Sequence, residues 1–196
     1  LTTLSKATLR KGVPYKVHPN LTPPKMVWRL LDLVFFIYFV THVPICLFID
    51  AQAILPRFIY PEKLLSLMEW YTKELRDPMM ADPPSWFQSF CLCELFLQLP
   101  FFFPAAYVYW KGAAGNRWFR IPAIVYSTHV ATTVIAIEYY IMMNDFSQSL
   151  HAGPRDLRER VWLGLIYFPY LLVPVMILLD ALFSSVWHKP SKEKMK

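Results

Sequence analysis

The chain has 196 residues, of which 56% are hydrophobic and only 17% charged, and its formal net charge is +6. A soluble domain of this length carries more charge, so this composition and four long apolar runs indicate a polytopic membrane protein. The basic residues cluster near the chain ends and in one short loop, and no nucleic-acid-binding motif occurs, so we attribute the positive charge to membrane topology and predict no nucleic-acid partner.

A basic, proline-containing stretch over residues 1–25 opens the chain and is not apolar enough to be a signal peptide. We interpret it as a disordered or non-native leader, and Met26 as a plausible native start. The remainder is predicted to form one transmembrane domain over residues 26–187, followed by a basic tail over residues 188–196.

Four apolar runs are long enough to cross a bilayer. In chain order, the predicted spans cover about residues 27–49, 84–110, 121–143 and 161–186. Between the first two spans, residues 61–75 place apolar side chains at helical spacing, which predicts an amphipathic helix that lies on the bilayer or caps the bundle. The predicted fold class is therefore all-α, a bundle of four transmembrane helices.

Basic residues also predict the orientation of the bundle. The loop between the second and third spans contains Lys111, Arg117 and Arg120 and no acid, and the tail contains four lysines. The positive-inside rule then places both termini in the cytosol and the first and third loops in the lumen. Lys192 and Lys194 fit a Lys-x-Lys-x-x retrieval pattern, which favours the endoplasmic reticulum membrane, with the lysosomal and nuclear membranes as further locations.

Two acidic residues are predicted to meet inside the bundle. Asp50 ends the first span, and Glu94 lies ten residues after Pro84 in the second, so both reach the same depth on the lumenal side. Two carboxyl groups that face each other in a low dielectric cannot both ionise cheaply, so we expect the pair to share a proton and to attract an amine or a carbocation-like transition state. An ordinary interfacial position at a helix end remains the alternative for Asp50.

Other polar residues in the spans are candidates for the walls of the same site. Gln98 follows Glu94 by four residues and shares its helical face, where it either lines the site or joins two helices. His42 and His129 either transfer protons or pack as polar core residues. Thr133 lies on the same face of the third span as His129.

Aromatic and acidic residues elsewhere remain open to two interpretations. Tyr167 and Tyr170 lie three residues apart beside a proline and either form an aromatic wall or simply pack. Asp77 precedes a proline and either caps a turn or braces the first loop over the cavity. Glu138 and Asp180 lie in the third and fourth spans, and the sequence suggests no partner for either.

The sequence contains no motif for metal, nucleotide or nucleophilic chemistry. Cys46, Cys91 and Cys93 all lie in apolar runs and are interpreted as packed thiols, because the Cys-x-Cys pair lacks the further ligands of a zinc site. No P-loop, dinucleotide-binding fingerprint or nucleophile elbow occurs. We therefore predict no catalytic residue, metal or cofactor, and expect a protein that binds or converts apolar molecules.

An ordered series of motifs in this chain resembles the sigma-2 receptor branch of the EXPERA family of membrane proteins. The motifs that carry the resemblance are Thr41-His42-Val43-Pro44, Ile49-Asp50, Trp70-Tyr71, Asp77-Pro78, Cys93-Glu94-Leu95, Gln98-Leu99-Pro100, Tyr126-Ser127-Thr128-His129 and Tyr167-Phe168-Pro169-Tyr170. The match extends over about residues 27–196.

This resemblance implies a lumen-side cavity that binds sterols and cationic amphiphilic drugs. Asp50 would pair with the ligand amine, and Glu94 would be its protonated, hydrogen-bonded neighbour, while Asp77 would support the pocket. The other residues at positions that line the pocket would be His42, Tyr71, Gln98, Thr133, Tyr167 and Tyr170. The resemblance also implies a homodimer that acts in cholesterol homeostasis together with the lysosomal Niemann-Pick cholesterol transporter.

Several positions depart from the pattern of this family. The loop between the second and third spans is slightly long, and Pro104 is shifted by one residue. Glu138 and Asp180 stand where apolar residues are expected, and the tail contains fewer lysines. These departures concern helix packing and retrieval and leave the pocket acids in place.

Three hypotheses therefore remain. The leading one is a non-enzymatic sterol- and amine-binding protein. The rival is a sterol double-bond isomerase, as in the related emopamil-binding protein, in which the same acids or a histidine transfer protons. The third is a scaffold whose polar residues only join helices and which binds no ligand.

Overall fold

The computed structural model describes residues 29–147 and 149–187. The leader and the tail, with Lys192 and Lys194, lie outside the described residues, so their predicted roles stay predictions. Within the described ranges the α-helices are α1 (Leu30–Phe48), α2 (Glu62–Glu74), α3 (Pro78–Ala81), α4 (Ser85–Cys93), α5 (Leu99–Lys111), α6 (Arg120–Met143) and α7 (Leu157–Phe183).

Four helical stretches are long and apolar enough to cross a membrane, which confirms the predicted all-α membrane fold. The first joins α1 to a short 3-10 turn over Asp50–Ala53, and the second joins α4 and α5 through a π-helical turn over Glu94–Gln98. The other two correspond to α6 and α7. Helix α2 occupies the predicted amphipathic segment between the first two spans.

Helix α7 begins at Leu157 and ends at Phe183, whereas the predicted span covered about residues 161–186. Asp156 caps its N-terminus by accepting a hydrogen bond from the backbone N–H of Glu159 at 2.9 Å. The Glu159 carboxylate in turn accepts the backbone N–H of Arg155 at 2.8 Å. An acid followed three residues later by a glutamate marks a helix start in the sequence, and this signal lies just before the apolar run.

The bundle is built from two helix pairs, α1 with α5 and α6 with α7. We call the end where residues 50–84 connect α1 to α4 the loop-one end, and the end where residues 112–119 connect α5 to α6 the loop-two end. Towards the loop-two end the core is aromatic, with Phe39 stacked on Tyr109 at 5.9 Å and Phe101 stacked on Tyr126 at 4.6 Å between ring centroids.

A second buried cluster lies towards the loop-one end. It combines side chains of the connecting segment with those of the spans, namely Ala53, Met68, Met79, Met80, Phe87, Cys91, Ile137, Ile141 and Leu163. Helix α2 contributes only Met68 to the buried residues, so it caps the bundle through one edge and leaves Trp70 exposed. The two clusters leave a space between them, which is described below.

Large apolar side chains on the outer faces of the four spans are exposed in the isolated chain. Examples are Ile37 on α1, Phe103 on α5, Val125 on α6 and Leu179 on α7. A contiguous apolar outer surface is what a helix bundle presents to lipid.

A buried ion cluster closes the loop-two end and pairs Asp180, for which the sequence had suggested no partner. The Arg29 guanidinium donates to both oxygens of Asp180 at 2.8 and 3.1 Å and to Asp32 at 2.6 Å. The Trp187 indole N–H also donates to Asp180 at 3.0 Å. Burial lowers the pKa of Arg29, but hydrogen bonds and attraction from the two carboxylates outweigh that effect and raise its pKa above the ordinary value.

Candidate ligand-binding site

A cavity of about 240 Å³ lies between the two buried clusters. Apart from a few polar groups, its walls are aliphatic and aromatic, which is the usual composition of a small-molecule site. The lining residues are His42, Ile45, Ile49, Asp50, Tyr71, Met80, Phe87, Phe90, Cys91, Glu94, Gln98, Val130, Thr133, Val134, Ile137, Ile166, Tyr167 and Tyr170.

Each of the eight residues predicted to bind ligand lies on this cavity. They come from distant parts of the chain, since His42 and Asp50 belong to the first span, Glu94 and Gln98 to the second, and Tyr167 to the fourth. Tyr71, Thr133 and Tyr170 complete the set. The structure therefore brings the predicted residues together, while their role in binding stays a proposal.

The segment that carries Glu94 and Gln98 has a wider helical turn than the sequence predicted. Residues Glu94–Gln98 form a π-helical turn between α4 and α5, so the four-residue spacing does not place these side chains as a regular α-helix would. Pro100 follows two residues later, cannot donate a backbone hydrogen bond to the carbonyl of residue 96, and its ring crowds the preceding turn. Proline at this point of an apolar helix was the available signal for the irregular turn.

Three polar side chains meet at one wall of the cavity. One oxygen of Asp50, one oxygen of Glu94 and one ring nitrogen of His42 all lie within 4.8 Å of one another. A hydrogen bond of 3.0 Å joins His42 Nε2 to Glu94 Oε1, and the two carboxyl groups lie within hydrogen-bonding reach of each other. A hydrogen bond between two carboxyl groups requires a proton on one of them, so this geometry fits a pair that holds one proton in the absence of a cation.

Aromatic rings hold His42 in place. Its ring stacks on Phe102 at 4.7 Å and lies 4.8 Å from Tyr170 and 5.2 Å from Tyr38, measured between centroids. The residue is 5% exposed, and its Nδ1 atom is buried without a hydrogen-bond partner in the described part of the chain. The ring is therefore fixed by packing and by its single contact with Glu94.

Asp77 does not line the cavity but anchors the segment that covers it. Fully buried, its carboxylate accepts hydrogen bonds from the backbone N–H groups of Met79 and Met80 at 3.0 and 3.2 Å. It also accepts from Tyr71 at 2.9 Å and Tyr167 at 2.7 Å. Burial raises the pKa of Asp77 while these four donors oppose the rise, and burial beside Asp77 raises the pKa of Tyr71, which therefore stays a donor.

Other predicted polar residues do not join the site. His129 shares α6 with Thr133, but its Nε2 is buried without a described partner and the residue does not line the cavity. Glu138 packs closely against Gly164 of α7, since a Cβ atom at residue 164 would lie only 2.8 Å from Glu138 Oε2. The Oε1 atom of Glu138 is buried without a described partner. The structure thus assigns neither residue to the cavity.

Sequence reasoning missed the apolar walls of the cavity and Cys91. Ile45 and Ile49 follow His42 by three and seven residues, and Val130 and Ile137 flank Thr133 at three and four residues. Helical spacing from a predicted polar residue would have identified them. Cys91, interpreted as a packed thiol, is buried and lies on the cavity wall.

A cavity of this kind is suited to a molecule with an apolar body and one positive charge. The apolar walls remove hydrocarbon from water, and the two carboxyl groups supply a negative site in a medium of low dielectric. The Asp50 side of the group has no cation among the described residues, whereas the ring of His42 is already engaged with Glu94. The arrangement thus leaves room for an external positive charge.

Comparisons with known proteins agree with the sequence resemblance. The family model described as EXPERA, the expanded EBP superfamily, matches residues 63–181. A protein named Sigma intracellular receptor 2 from Xenopus tropicalis is 53% identical over 168 residues, which cover 86% of this chain and 97% of that protein.

Two further relatives show how far the similarity extends. Sigma intracellular receptor 2 from Homo sapiens is 43% identical over 171 residues, covering 86% of this chain and 96% of the relative. A Saccharomyces cerevisiae protein named Efficient mitochondria targeting-associated protein 19 is 24% identical over 150 residues, covering 71% of this chain and 90% of its own length.

Proposed function

The chain belongs to the EXPERA family, and from that premise we propose that it is an intramembrane binding protein for sterols and cationic amphiphilic molecules. Its relatives at 43–53% identity are named as receptors, which agrees with a protein that binds and does not catalyse. The single observation that carries the proposal is the convergence of Asp50, Glu94 and His42 on one wall of an otherwise apolar cavity.

In this proposal Asp50 is the anchor for a protonated amine. The resemblance implies that Glu94 keeps the shared proton, and its contact with His42 at 3.0 Å fixes the position of this carboxyl group. Asp50 then carries the negative charge that the ammonium group meets, and the Glu94 carboxyl donates to it. Tyr170 and Gln98 contribute the adjoining walls. A sterol would occupy the same apolar space without the ionic contact.

The proposal is tested by saturation binding of a tritium-labelled tertiary arylalkylamine to membranes containing the wild-type chain, Asp50→Asn or Glu94→Gln, with cholesterol as competitor. Removing the Asp50 charge should weaken amine binding by about 100-fold, because an ion pair in a desolvated site contributes about 2–5 kcal/mol. Cholesterol should compete in the wild type.

Glu138→Gln is the matched control, since it neutralises an intramembrane acid outside the cavity. It should bind the amine as the wild type does. An Asp50→Asn protein that stays folded and keeps its amine affinity would remove the acid pair from the site.

A second candidate function is a sterol double-bond isomerase. The observation that favours it is the hydrogen bond between His42 and Glu94 beside a second acid, Asp50, which together provide a proton donor and acceptor within one cavity. The family name refers to EBP, and the resemblance implies that emopamil-binding protein catalyses this type of reaction. In that reaction one carboxyl group would protonate the alkene and the other group would remove a proton from the carbocation.

Incubation of the purified chain with a Δ8-sterol, followed by chromatography, separates the two functions. A shifted double bond that disappears in Glu94→Gln would identify an enzyme. Unchanged substrate in a preparation that binds the labelled amine would support the binding protein.

Finer features of the function follow from the same resemblance. We propose residence in the endoplasmic reticulum membrane with cytosolic termini, homodimer formation, and a role in cholesterol homeostasis with the lysosomal Niemann-Pick cholesterol transporter. Crosslinking of two differently tagged copies in intact membranes would test the dimer. Co-precipitation of the transporter with the wild-type chain and Asp50→Asn would test whether that partnership depends on the site.

A further inference from the structure

The three polar side chains at the cavity wall match the donor set of a divalent metal ion. An imidazole nitrogen and two carboxylate oxygens are ligands that suit Zn²⁺, and three protein ligands with one open position are typical of sites where the metal also meets a solvent molecule or ligand. His42, Asp50 and Glu94 supply this set from two separate spans.

The spacing of the donor atoms is close to what coordination requires. Ligands about 2.1 Å from Zn²⁺ in a tetrahedron lie about 3.4 Å from one another. His42 Nε2 and Glu94 Oε1 are 3.0 Å apart, and all three donor atoms lie within 4.8 Å of one another. Asp50 lies in the 3-10 turn and Glu94 in the π turn, so neither acid of the set is in a regular stretch of α-helix.

Charge and an unpaired polar group point to the same conclusion. When a divalent cation displaces the proton that the acid pair shares, the two carboxylates and the neutral imidazole carry a charge of −2, which that cation neutralises. Gln98 is 7% exposed, lines the same cavity and makes no hydrogen bond to another described residue, so its amide is available to a metal-bound water.

We propose that His42, Asp50 and Glu94 form a site for a divalent cation of the Zn²⁺ type, and that this cation and cationic amphiphiles exclude each other. Coordination through Nε2 moves the imidazole proton to Nδ1 and releases the proton held between the two carboxyl groups. Nδ1 has no described partner, and a ligating histidine without such support typically binds metal 10–100-fold more weakly, so we expect modest affinity that allows exchange. Metal occupancy requires only these three side chains, whereas the mutual exclusion with cationic amphiphiles rests on the proposed function.

The test uses Co²⁺ as a spectroscopic substitute for Zn²⁺ on the purified full chain in lipid nanodiscs. Wild type and Glu138→Gln should develop visible d–d absorption bands of a four- or five-coordinate site, and Zn²⁺ should abolish them. His42→Gln and Asp50→Asn should lose the bands, and Zn²⁺ should displace the labelled arylalkylamine from wild type. Thermal unfolding of each variant shows which of them are folded.

The outcomes separate this proposal from the proposed function. Amine binding without cobalt bands in the wild type would overturn the metal site and leave the binding function intact. Bands that persist in both folded variants would place the metal elsewhere and also overturn it. Cobalt bands with the predicted losses, in a protein that binds no amine, would support the metal site and reject the binding function.

Discussion

The two ends of the bundle each contain a pair of buried or nearly buried carboxyl groups, but within residues 29–147 and 149–187 only one pair has a cation of its own. At the loop-two end, Asp32 and Asp180 share the guanidinium of Arg29, with salt bridges of 2.6 and 2.8 Å. At the loop-one end, neither Asp50 nor Glu94 pairs with a lysine or arginine among the described residues, and Glu94 contacts His42 at 3.0 Å. The first pair is complete within the chain and holds α1 to α7, whereas the second lies on a cavity and is open to a positive charge from outside.

This difference distinguishes two kinds of acid in a membrane bundle. A structural acid stabilises the fold, and a binding acid contacts a ligand. A buried carboxylate costs free energy unless it is paired or protonated, so a structural acid carries its partner within the fold. Asp77 follows the structural pattern with four neutral donors in place of a cation. Asp50 has no such set of donors, which is why it is the candidate for ligand recognition.

The largest effect is expected from removing the internal cation. Arg29→Ala leaves Asp32 and Asp180 buried without compensation, so it should destabilise the folded protein by about 3–5 kcal/mol. Thermal unfolding in detergent micelles measures this loss. Arg29→Lys is the control, because it keeps the positive charge but loses the bidentate contact with Asp180. It should retain part of the stability. Equal melting temperatures for Arg29→Ala and the wild type would mean that the two ends do not differ as described.

A smaller effect of opposite sign is expected at the open pair. Glu94→Gln removes one of two carboxyl groups that face each other and keeps a side-chain oxygen that accepts the His42 hydrogen bond. It should therefore stabilise the ligand-free protein by about 1 kcal/mol, because Asp50 can then be protonated alone and the buried negative charge that the pair shares is lost. Thermal unfolding measured without and with the labelled amine gives the stability of the ligand-free and the ligand-bound protein separately. A destabilised ligand-free Glu94→Gln would show that this acid is structural, as Asp180 is.

An effect of similar size but in the destabilising direction is expected at Asp77. Tyr167→Phe removes one of its four donors and should cost about 1 kcal/mol, the usual net contribution of a hydrogen bond, with little change in amine affinity. Thermal unfolding measures the loss of stability, and saturation binding of the labelled amine on the same preparation measures the affinity. Tyr170→Phe is the matched control, because Tyr170 lines the cavity without contacting Asp77. If Tyr167→Phe abolished amine binding without affecting stability, its hydroxyl would belong to the ligand site.

Much of the fold could be predicted because the bilayer imposes simple requirements on length and polarity. Four apolar runs predicted the spans, and counting residues along two of them placed Asp50 beside Glu94. Helix α7 begins four residues before its predicted start, since its cap at Asp156 precedes the apolar run. The pairing of Arg29 with Asp180 was not predictable, because 151 residues separate them and no local pattern records the contact.

The π turn could be suspected from Pro100 but not located from it. Proline predicts a disturbance in the preceding turn, yet a kink, a 3-10 turn or a π turn all satisfy that requirement. The choice depends on how α5 packs against α1 and how the loop-one half of the span packs around Asp50–Ala53. These are tertiary contacts, which a single sequence does not specify.

The π turn also lets the second span behave as two helices that differ in phase. One additional residue in a helical turn rotates everything beyond it by about 100° about the axis. Because of this rotation, the residues of α4 that face the cavity and the residues of α5 that face α1 do not lie on one continuous helical face. Substitutions that change ligand preference in one half can therefore accumulate without disturbing the aromatic core that the other half builds.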